Sequence, residues 1–271
     1  MIPAAMDYVR ADSAEAAVAA LAEHGEEAKL LAGGQSLVPL MRLRLATPAV
    51  LVDVGRASDL AGISVDGDTV SIGALTTHST LEHSTDLATA CPLLAHVASV
   101  VGDPAVRHRG TLGGSLAHAD PASDLPAAVL ALGGTLVVTG SGGTREIAAT
   151  DFFTGFLESA LAADEVLTEV RVPVSTAGWA YQKFNRRAQD WAIVGAVVAE
   201  GGAGVALVNM GSTPLRAPAV EAAVASGASA VEAAAEAADG TDPPTDTQAD
   251  AAYREHLARV LTARALEAAG A

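Results

Sequence analysis

Ala32-Gly33-Gly34-Gln35-Ser36 and, about eighty residues later, Thr111-Leu112-Gly113-Gly114-Ser115 are the segments of this 271-residue chain whose residue types carry the clearest chemical message. Paired glycines let the backbone approach a ligand closely and turn successive N–H groups toward one concavity, which suits a phosphate. A single Gly-Gly pair reads as an ordinary turn. Two of them, each ending in a serine and with the Asp-rich loop His118-Ala119-Asp120-Pro121-Ala122-Ser123-Asp124 nearby, predict two grips on one pyrophosphate. His118 with Asp120 and Asp124 reads either as a metal site or acid–base pair, or as positioning residues beside a phosphate nest. Arg107 and Arg109 either balance a pyrophosphate or face solvent.

Other chemistry is excluded by pattern. No Gly-x-Gly-x-x-Gly follows a strand, so the common dinucleotide fingerprint is absent. Neither Lys29 nor Lys183 follows a glycine, which removes a P-loop. His-Glu-x-x-His and Gly-x-Ser-x-Gly are also missing, and the seven histidines are not clustered at metal-ligand spacing. The lone Cys91 excludes a disulfide framework, a Cys-rich zinc site and a cysteine-ligated iron–sulfur cluster within the chain. It reads as a buried spacer. No residue is assigned as catalytic and none as a metal ligand.

The elements that must position these segments follow from periodicity. Asp12 is expected to cap a helix, with Glu15 completing a capping box and Gly25 ending it. Lys29–Ala32 reads as a strand feeding the first Gly-Gly turn, and Val50–Val54 as a buried strand. Ile63–Val65 and Thr69–Ile72 flank Asp66-Gly67-Asp68 as a hairpin. Helices are expected at Thr77–His83, Pro92–Val101 and from Pro126 to Ala131, with strands at Thr135–Thr139, Thr144–Ile147 and Val166–Val172. Residues 173–178 read as a linker. Strands near 179–184, 193–200 and 205–210 precede two Ala-rich helical stretches, 217–239 and 250–269.

The chain is 50% hydrophobic but only 3% aromatic, so its core is built from Ala, Val and Leu. A net charge of −16 argues against nucleic acid and anionic lipid as partners. No signal peptide and no run of about eighteen apolar residues is present, so a cytoplasmic location is expected.

These motifs resemble a family. Gly33-Gly34-Gln35-Ser36 with the following Leu-Val-Pro-Leu-Met-Arg-Leu-Arg-Leu is similar to the first FAD-binding segment of the flavoprotein subunits of molybdenum hydroxylases, and residues 101–116 to the second. Tyr181-Gln182-Lys183-Phe184-Asn185-Arg186-Arg187 and residues 253–261 extend the likeness over essentially the whole chain, with aerobic carbon monoxide dehydrogenase medium subunits nearest and the xanthine dehydrogenase FAD domain more distant. The resemblance implies an α+β fold of the vanillyl-alcohol-oxidase/PCMH type. It has two FAD-binding subdomains, residues 1–56 and 57–173, and a C-terminal subdomain of antiparallel sheet and helices, residues 177–271. It implies that Leu30, Leu31, Ala32, Gly33, Gly34, Gln35, Ser36 and Leu37 wrap the diphosphate and adenine side of FAD. Val101, Thr111, Leu112, Gly113, Gly114 and Ser115 belong to the second segment, which closes on the pyrophosphate from the other lobe. Asp124 contacts the ribityl or adenosine portion, Leu167 lies near the cofactor, and Lys183 reaches a flavin carbonyl. Trp191 packs against the isoalloxazine or in the core. Gln35 stands where many relatives carry His, which leaves the subfamily open.

The resemblance further implies an electron relay. A large partner subunit with a molybdenum cofactor oxidises the substrate, and a small partner with two [2Fe-2S] clusters passes electrons to this FAD. An external acceptor such as a quinone then takes them. A dimer of heterotrimers is implied, with association at the inner membrane face through the partners. Three alternatives are weighed: the same subunit in an N-heterocycle, purine or aldehyde hydroxylase, a flavin-free scaffold, and a self-sufficient flavin oxidase. The last needs a larger capping domain than the C-terminal lobe supplies.

Overall fold

The computed structural model describes residues 2–271. The first unit is a three-stranded parallel sheet in which Val50–Asp53 lies between Asp7–Arg10 and Ala28–Leu31. Parallel strands of one sheet need a crossover, and the helix Ala14–His24 supplies the one that joins the two outer strands, burying Ala17, Ala20 and Leu21. Its cap is Ser13 rather than the expected Asp12. Ser13 has extended backbone and its Oγ accepts the Ala16 N–H at 3.1 Å, whereas Asp12 pairs with Arg10 at 2.9 Å. Gly25 ends the helix as expected.

The second unit is an antiparallel five-stranded sheet in the order Ile63–Asp66, Thr69–Gly73, Val166–Pro173, Thr135–Gly140, Gly143–Ala148. Alternate residues of these strands (Val70 and Ile72, Leu136 and Val138, Val170 and Val172) enter one core with the helices that run from His78 to Ala131. Antiparallel strands with one face on a helical layer show this period-2 pattern. Cys91 lies in this core with no exposure, and burial pushes its thiol up to about 11, so it packs as an apolar spacer. The helix expected from Pro126 starts earlier, at Asp124, because proline is tolerated within a first turn.

The third unit is a four-stranded antiparallel sheet, Ala180–Phe184, Val194–Ala199, Gly204–Val208, Leu215–Arg216. Both of its faces are buried. Ala196, Val198, Val205 and Leu207 pack with the long helix Ala251–Ala269, while Tyr181, Val197, Ala199, Ala206 and Val208 join the core of the second unit. Alternation along each strand therefore seats this sheet between its own helices and the helix Asp124–Ala131. Among the described residues no helix is long and apolar enough to cross a membrane.

Candidate functional site

Between the first and second units runs a cleft of about 720 Å³, within the usual range for cofactor pockets, about 300–1,000 Å³. The strand Ala28–Leu31 delivers the chain to its rim, and the loop that follows lines it with Ala32, Gly33, Gly34, Gln35, Ser36 and Leu37. Among the described residues, no acceptor within the chain takes the N–H groups of Gly33, Gly34, Gln35 or Ser36. Four consecutive donors without an acceptor in the chain, on residues that line a cleft, are available to an anion. Gly33 is fixed by close approach: a Cβ there would lie 2.1 Å from the Arg109 carbonyl oxygen and 2.9 Å from the Gly110 Cα. The two glycine segments thus touch backbone to backbone.

The second segment works differently from the expected turn. Thr111 caps the short helix Leu112–His118, and its Oγ1 accepts the Gly114 N–H at 3.1 Å. Gly113 N–H donates to the Ala74 carbonyl at 2.8 Å and Ser115 N–H to the Thr111 carbonyl at 3.1 Å. These N–H groups are consumed inside the protein, so the expectation that both glycine pairs aim N–H groups at one concavity fails for the second pair. The second pair serves packing, since a Cβ on Gly113 would meet the Ala74 Cβ at 2.5 Å. Thr111, Gly113, Gly114 and Ser115 line the cleft, and Ser115 Oγ lies 3.3 Å from His78 Nε2. Sequence reasoning missed His78, which is 2% exposed and also lines the cleft; no signal along the chain places it beside Ser115. Burial and the nearby Arg107 charge lower its pKa to about 4, so the ring is neutral near pH 7.

The third wall was also not anticipated. A two-stranded hairpin, Phe153–Gly155 with Glu158–Ser159, contributes Leu157 from its turn, and the strap that follows contributes Leu161 and Glu165 to the cleft. Arg145 holds this strap, donating to Glu165 at 2.7 and 2.8 Å and to the Ala160 carbonyl at 2.8 Å. A bulge at Thr168 interrupts the ladder beside Leu167, which lines the cleft as expected; bulges re-aim neighbouring side chains.

Residues 4–175 match the family described as FAD binding domain in molybdopterin dehydrogenase, and residues 179–269 match the CO dehydrogenase flavoprotein C-terminal domain. The carbon monoxide dehydrogenase medium chain of Hydrogenophaga pseudoflava is 40% identical over 100% of this chain and 99% of its own length. A structure of that organism's carbon monoxide dehydrogenase lacking the Mo-pyranopterin moiety superposes with a TM-score of 0.94 at 41% identity, covering 100% of this chain and 99% of that one. The chain belongs to the FAD-binding medium subunits of the molybdenum hydroxylases. Within this family it is also 38% identical to the 6-hydroxypseudooxynicotine dehydrogenase complex subunit alpha of Paenarthrobacter nicotinovorans, over 98% of this chain and 95% of that one. Quinoline 2-oxidoreductase from Pseudomonas putida 86 superposes with a TM-score of 0.92 at 34% identity, covering 100% and 99%.

The cleft fits the family's cofactor: it offers a volume of cofactor size and four N–H donors that no acceptor within the chain takes, on a loop packed against the 109–110 backbone too closely for a Cβ at Gly33. Of the expected contacts, Leu30, Ala32–Leu37, Thr111, Gly113–Ser115 and Leu167 line it. Leu31, Val101, Leu112, Asp124, Lys183 and Trp191 do not. Leu112 is buried in the core beneath the cleft, and the Val101 carbonyl accepts from Arg107 at 3.2 Å. Arg107 itself pairs with Glu82 at 2.8 Å, and Arg109 is exposed.

Asp124 and Lys183 are bound to each other instead of facing the cleft. The Lys183 ammonium donates to Asp124 Oδ2 at 2.7 Å and to the Val100 carbonyl at 3.1 Å, and the Tyr181 hydroxyl donates to Asp124 Oδ1. A buried carboxylate and a buried ammonium on facing elements satisfy one another first. Burial pushes the Asp124 carboxyl up, and the Lys183 charge together with the Tyr181 hydroxyl pulls it back. The same network raises the Tyr181 hydroxyl well above its usual value, through burial and then the Asp124 charge. Because Asp124 is committed to Lys183, it does not converge with His118 and Asp120, themselves 4.0 Å apart. No metal-binding cluster is found among the described residues. Trp191 is 53% exposed, which removes the core-packing alternative; it lines a separate hollow of about 300 Å³ with Arg186, Arg187 and Asp190.

Proposed function

We propose that this chain is the electron-relay subunit of an aerobic carbon monoxide dehydrogenase. It would take electrons from [2Fe-2S] clusters on a small partner and deliver them to an external acceptor such as a quinone. Oxidation of carbon monoxide would occur at the molybdenum cofactor of a large partner. The observation that carries the reading is the run of free N–H groups at Gly33–Ser36 closed against the 109–115 backbone across the cleft. The full-length likeness to the carbon monoxide dehydrogenase medium chain supports the substrate assignment.

In this reading the Gly33–Ser36 N–H groups bind the diphosphate, and the Thr111 and Ser115 hydroxyls face it from the second unit. Leu30, Leu37, Leu157, Leu161 and Leu167 give the cleft apolar walls that exclude water from the rest of the cofactor. The Asp124–Lys183 pair, set outside the cleft lining, stiffens the junction between the second and third units. Trp191, exposed beside its separate hollow, is assigned no contact with the cofactor in this reading. Bound FAD supplies a centre that exchanges electrons singly or in pairs. The three-unit division at residues 1–56, 57–173 and 177–271, a cytoplasmic dimer of heterotrimers and association with the inner membrane face through partners belong to the same proposal.

A second reading keeps the subunit and changes the substrate to an N-heterocycle, purine or aldehyde. The full-length likeness to the 6-hydroxypseudooxynicotine and quinoline proteins favours it, because the same fold serves those complexes. Purification of the native complex tests both. FAD, iron–sulfur absorbance and molybdenum that co-purify, with bleaching by carbon monoxide, are expected. Bleaching only by a heterocycle or aldehyde moves the assignment to the second reading, and a native complex without FAD leaves only the scaffold alternative.

A further inference from the structure

His78 opens the helix His78–His83, and its backbone N–H donates to the Gly110 carbonyl at 2.9 Å, so its ring lies over the 110–115 segment. The contact is tight enough that a Cβ on Gly110 would lie 2.7 Å from the ring. One ring nitrogen, Nε2, lies 3.3 Å from Ser115 Oγ; the other, Nδ1, is buried with no partner. Both His78 and Ser115 line the cleft.

A neutral imidazole carries one proton, and the two placements differ. With the proton on Nδ1, a buried N–H is orphaned and Nε2 must accept the serine hydrogen. With the proton on Nε2, the N–H donates to Ser115 Oγ and Nδ1 is left as a bare acceptor. Orphaned buried donors are the rarer and costlier case, so the second placement is favoured. Ser115 Oγ then receives a hydrogen bond from behind, and its own hydrogen is free to be donated into the cleft.

We propose that His78 is a cofactor-positioning residue that fixes the Ser115 hydroxyl as a donor to the diphosphate of FAD. The proposal rests on the FAD reading of the cleft and deepens it. His78 itself need not touch the cofactor; it acts through Ser115. A hydroxyl aligned by a partner binds an anion without losing rotational freedom at that moment, and a serine released from the ring would also be able to turn back on the helix.

The test is a titration of FAD-depleted full-length chain with FAD, with ADP, which has the diphosphate without the flavin, and with riboflavin, which has the flavin without phosphate. Ser115→Ala and His78→Phe are each expected to weaken FAD and ADP by roughly tenfold, the scale of one hydrogen bond to a charged group. Riboflavin binding should stay unchanged. In the double variant the loss should be no greater than with Ser115→Ala alone, since His78 acts only through the hydroxyl that this substitution removes. His78→Gln, whose amide nitrogen takes the place of Nε2, should bind close to the original, and His78→Asn, whose amide lies nearer Nδ1, should bind as poorly as Ser115→Ala. The Gln and Asn pair decides the matter even where His78→Phe does not fold. Additive losses, equal binding by Gln and Asn, or a parallel loss of riboflavin overturn the role of His78 while leaving the FAD reading intact. Failure of the unaltered chain to bind FAD or ADP overturns the FAD reading, and this proposal with it.

Discussion

At the scale of single residues, two buried titratable sites dominate the behaviour of the protein. His78 is held neutral with a pKa near 4 against an ordinary value of 6.5. Above about pH 6.5 it is neutral both folded and unfolded and costs nothing. As pH falls below that value the unfolded chain takes up a proton that the folded chain refuses, so stability is lost from about 6.5 down to about 4 and then levels off. The full loss is on the order of 3 kcal/mol. Urea unfolding at pH 7 and pH 4.5 should therefore show a smaller drop for His78→Gln than for the unaltered protein; equal drops would count against the neutral buried ring.

The Asp124–Lys183 pair makes the second residue-scale prediction. Lys183→Met leaves a buried carboxylate with only the Tyr181 hydroxyl, and breaking one side of a buried pair costs about 3–5 kcal/mol. Adding Asp124→Asn removes the stranded charge while keeping an acceptor for Tyr181, and should recover most of that loss. Chemical denaturation of the two single variants and the double variant measures the coupling directly. Simple additivity would mean that the pair contributes nothing to holding the second and third units together.

At the scale of elements, the long C-terminal helix does more than cover a sheet. Arg254, 1% exposed on the helix Ala251–Ala269, donates to the Ile193 carbonyl and, at 2.8 Å, to Asp246. Asn209 donates to the Ala192 and Ile193 carbonyls at 2.9 and 3.3 Å. Together they hold the backbone next to Trp191. Because Asn209 still serves Ile193 when the arginine is removed, Arg254→Met should cost a moderate ~1–3 kcal/mol. It should also speed trypsin cleavage after Arg186 or Arg187, which mapping of the early fragments would reveal.

The same scale shows what the sequence makes legible. Strands with period-2 burial and the Asp66-Gly67-Asp68 hairpin were readable because local pattern and turn chemistry agree there. The first glycine segment was readable as a loop after a strand for the same reason. Gly113 and Gly114 have the local pattern of a turn yet are helical, because a helix tolerates poor formers where close packing on Ala74 and a Thr111 cap demand it. The strap held by Arg145, the bulge at Thr168 and the meeting of His78 with Ser115 depend on tertiary contacts between distant segments. Periodicity carries no information about such contacts.

At the scale of the whole molecule, the three units do not have equal means of holding themselves. The second and third share a core, since one face of the C-terminal sheet packs into the helices of the second unit. The first unit has a separate, alanine-rich core of Ala11, Ala17, Ala20, Leu21, Val50, Val52 and Val54, with Val166 as a buried contribution from the second. At about 25 cal/mol per Å² of apolar area buried, this unit, whose core is much smaller than the other two, gains least from its own packing. It also supplies the loop with four unsatisfied N–H groups, which are stabilised only when an anion or water meets them. A ligand that binds the folded state alone adds about 2.7 kcal/mol at a hundredfold excess over its dissociation constant. That gain should be concentrated where the ligand supplies the missing contacts. Removing FAD is therefore expected to raise hydrogen exchange in the strands Ala28–Leu31 and Val50–Asp53 and in the 32–37 loop, while Val194–Ala199 and Gly204–Val208 remain protected. Exchange followed by mass spectrometry on FAD-loaded and FAD-depleted protein measures this. A uniform rise along the chain would show instead that the three units open as one.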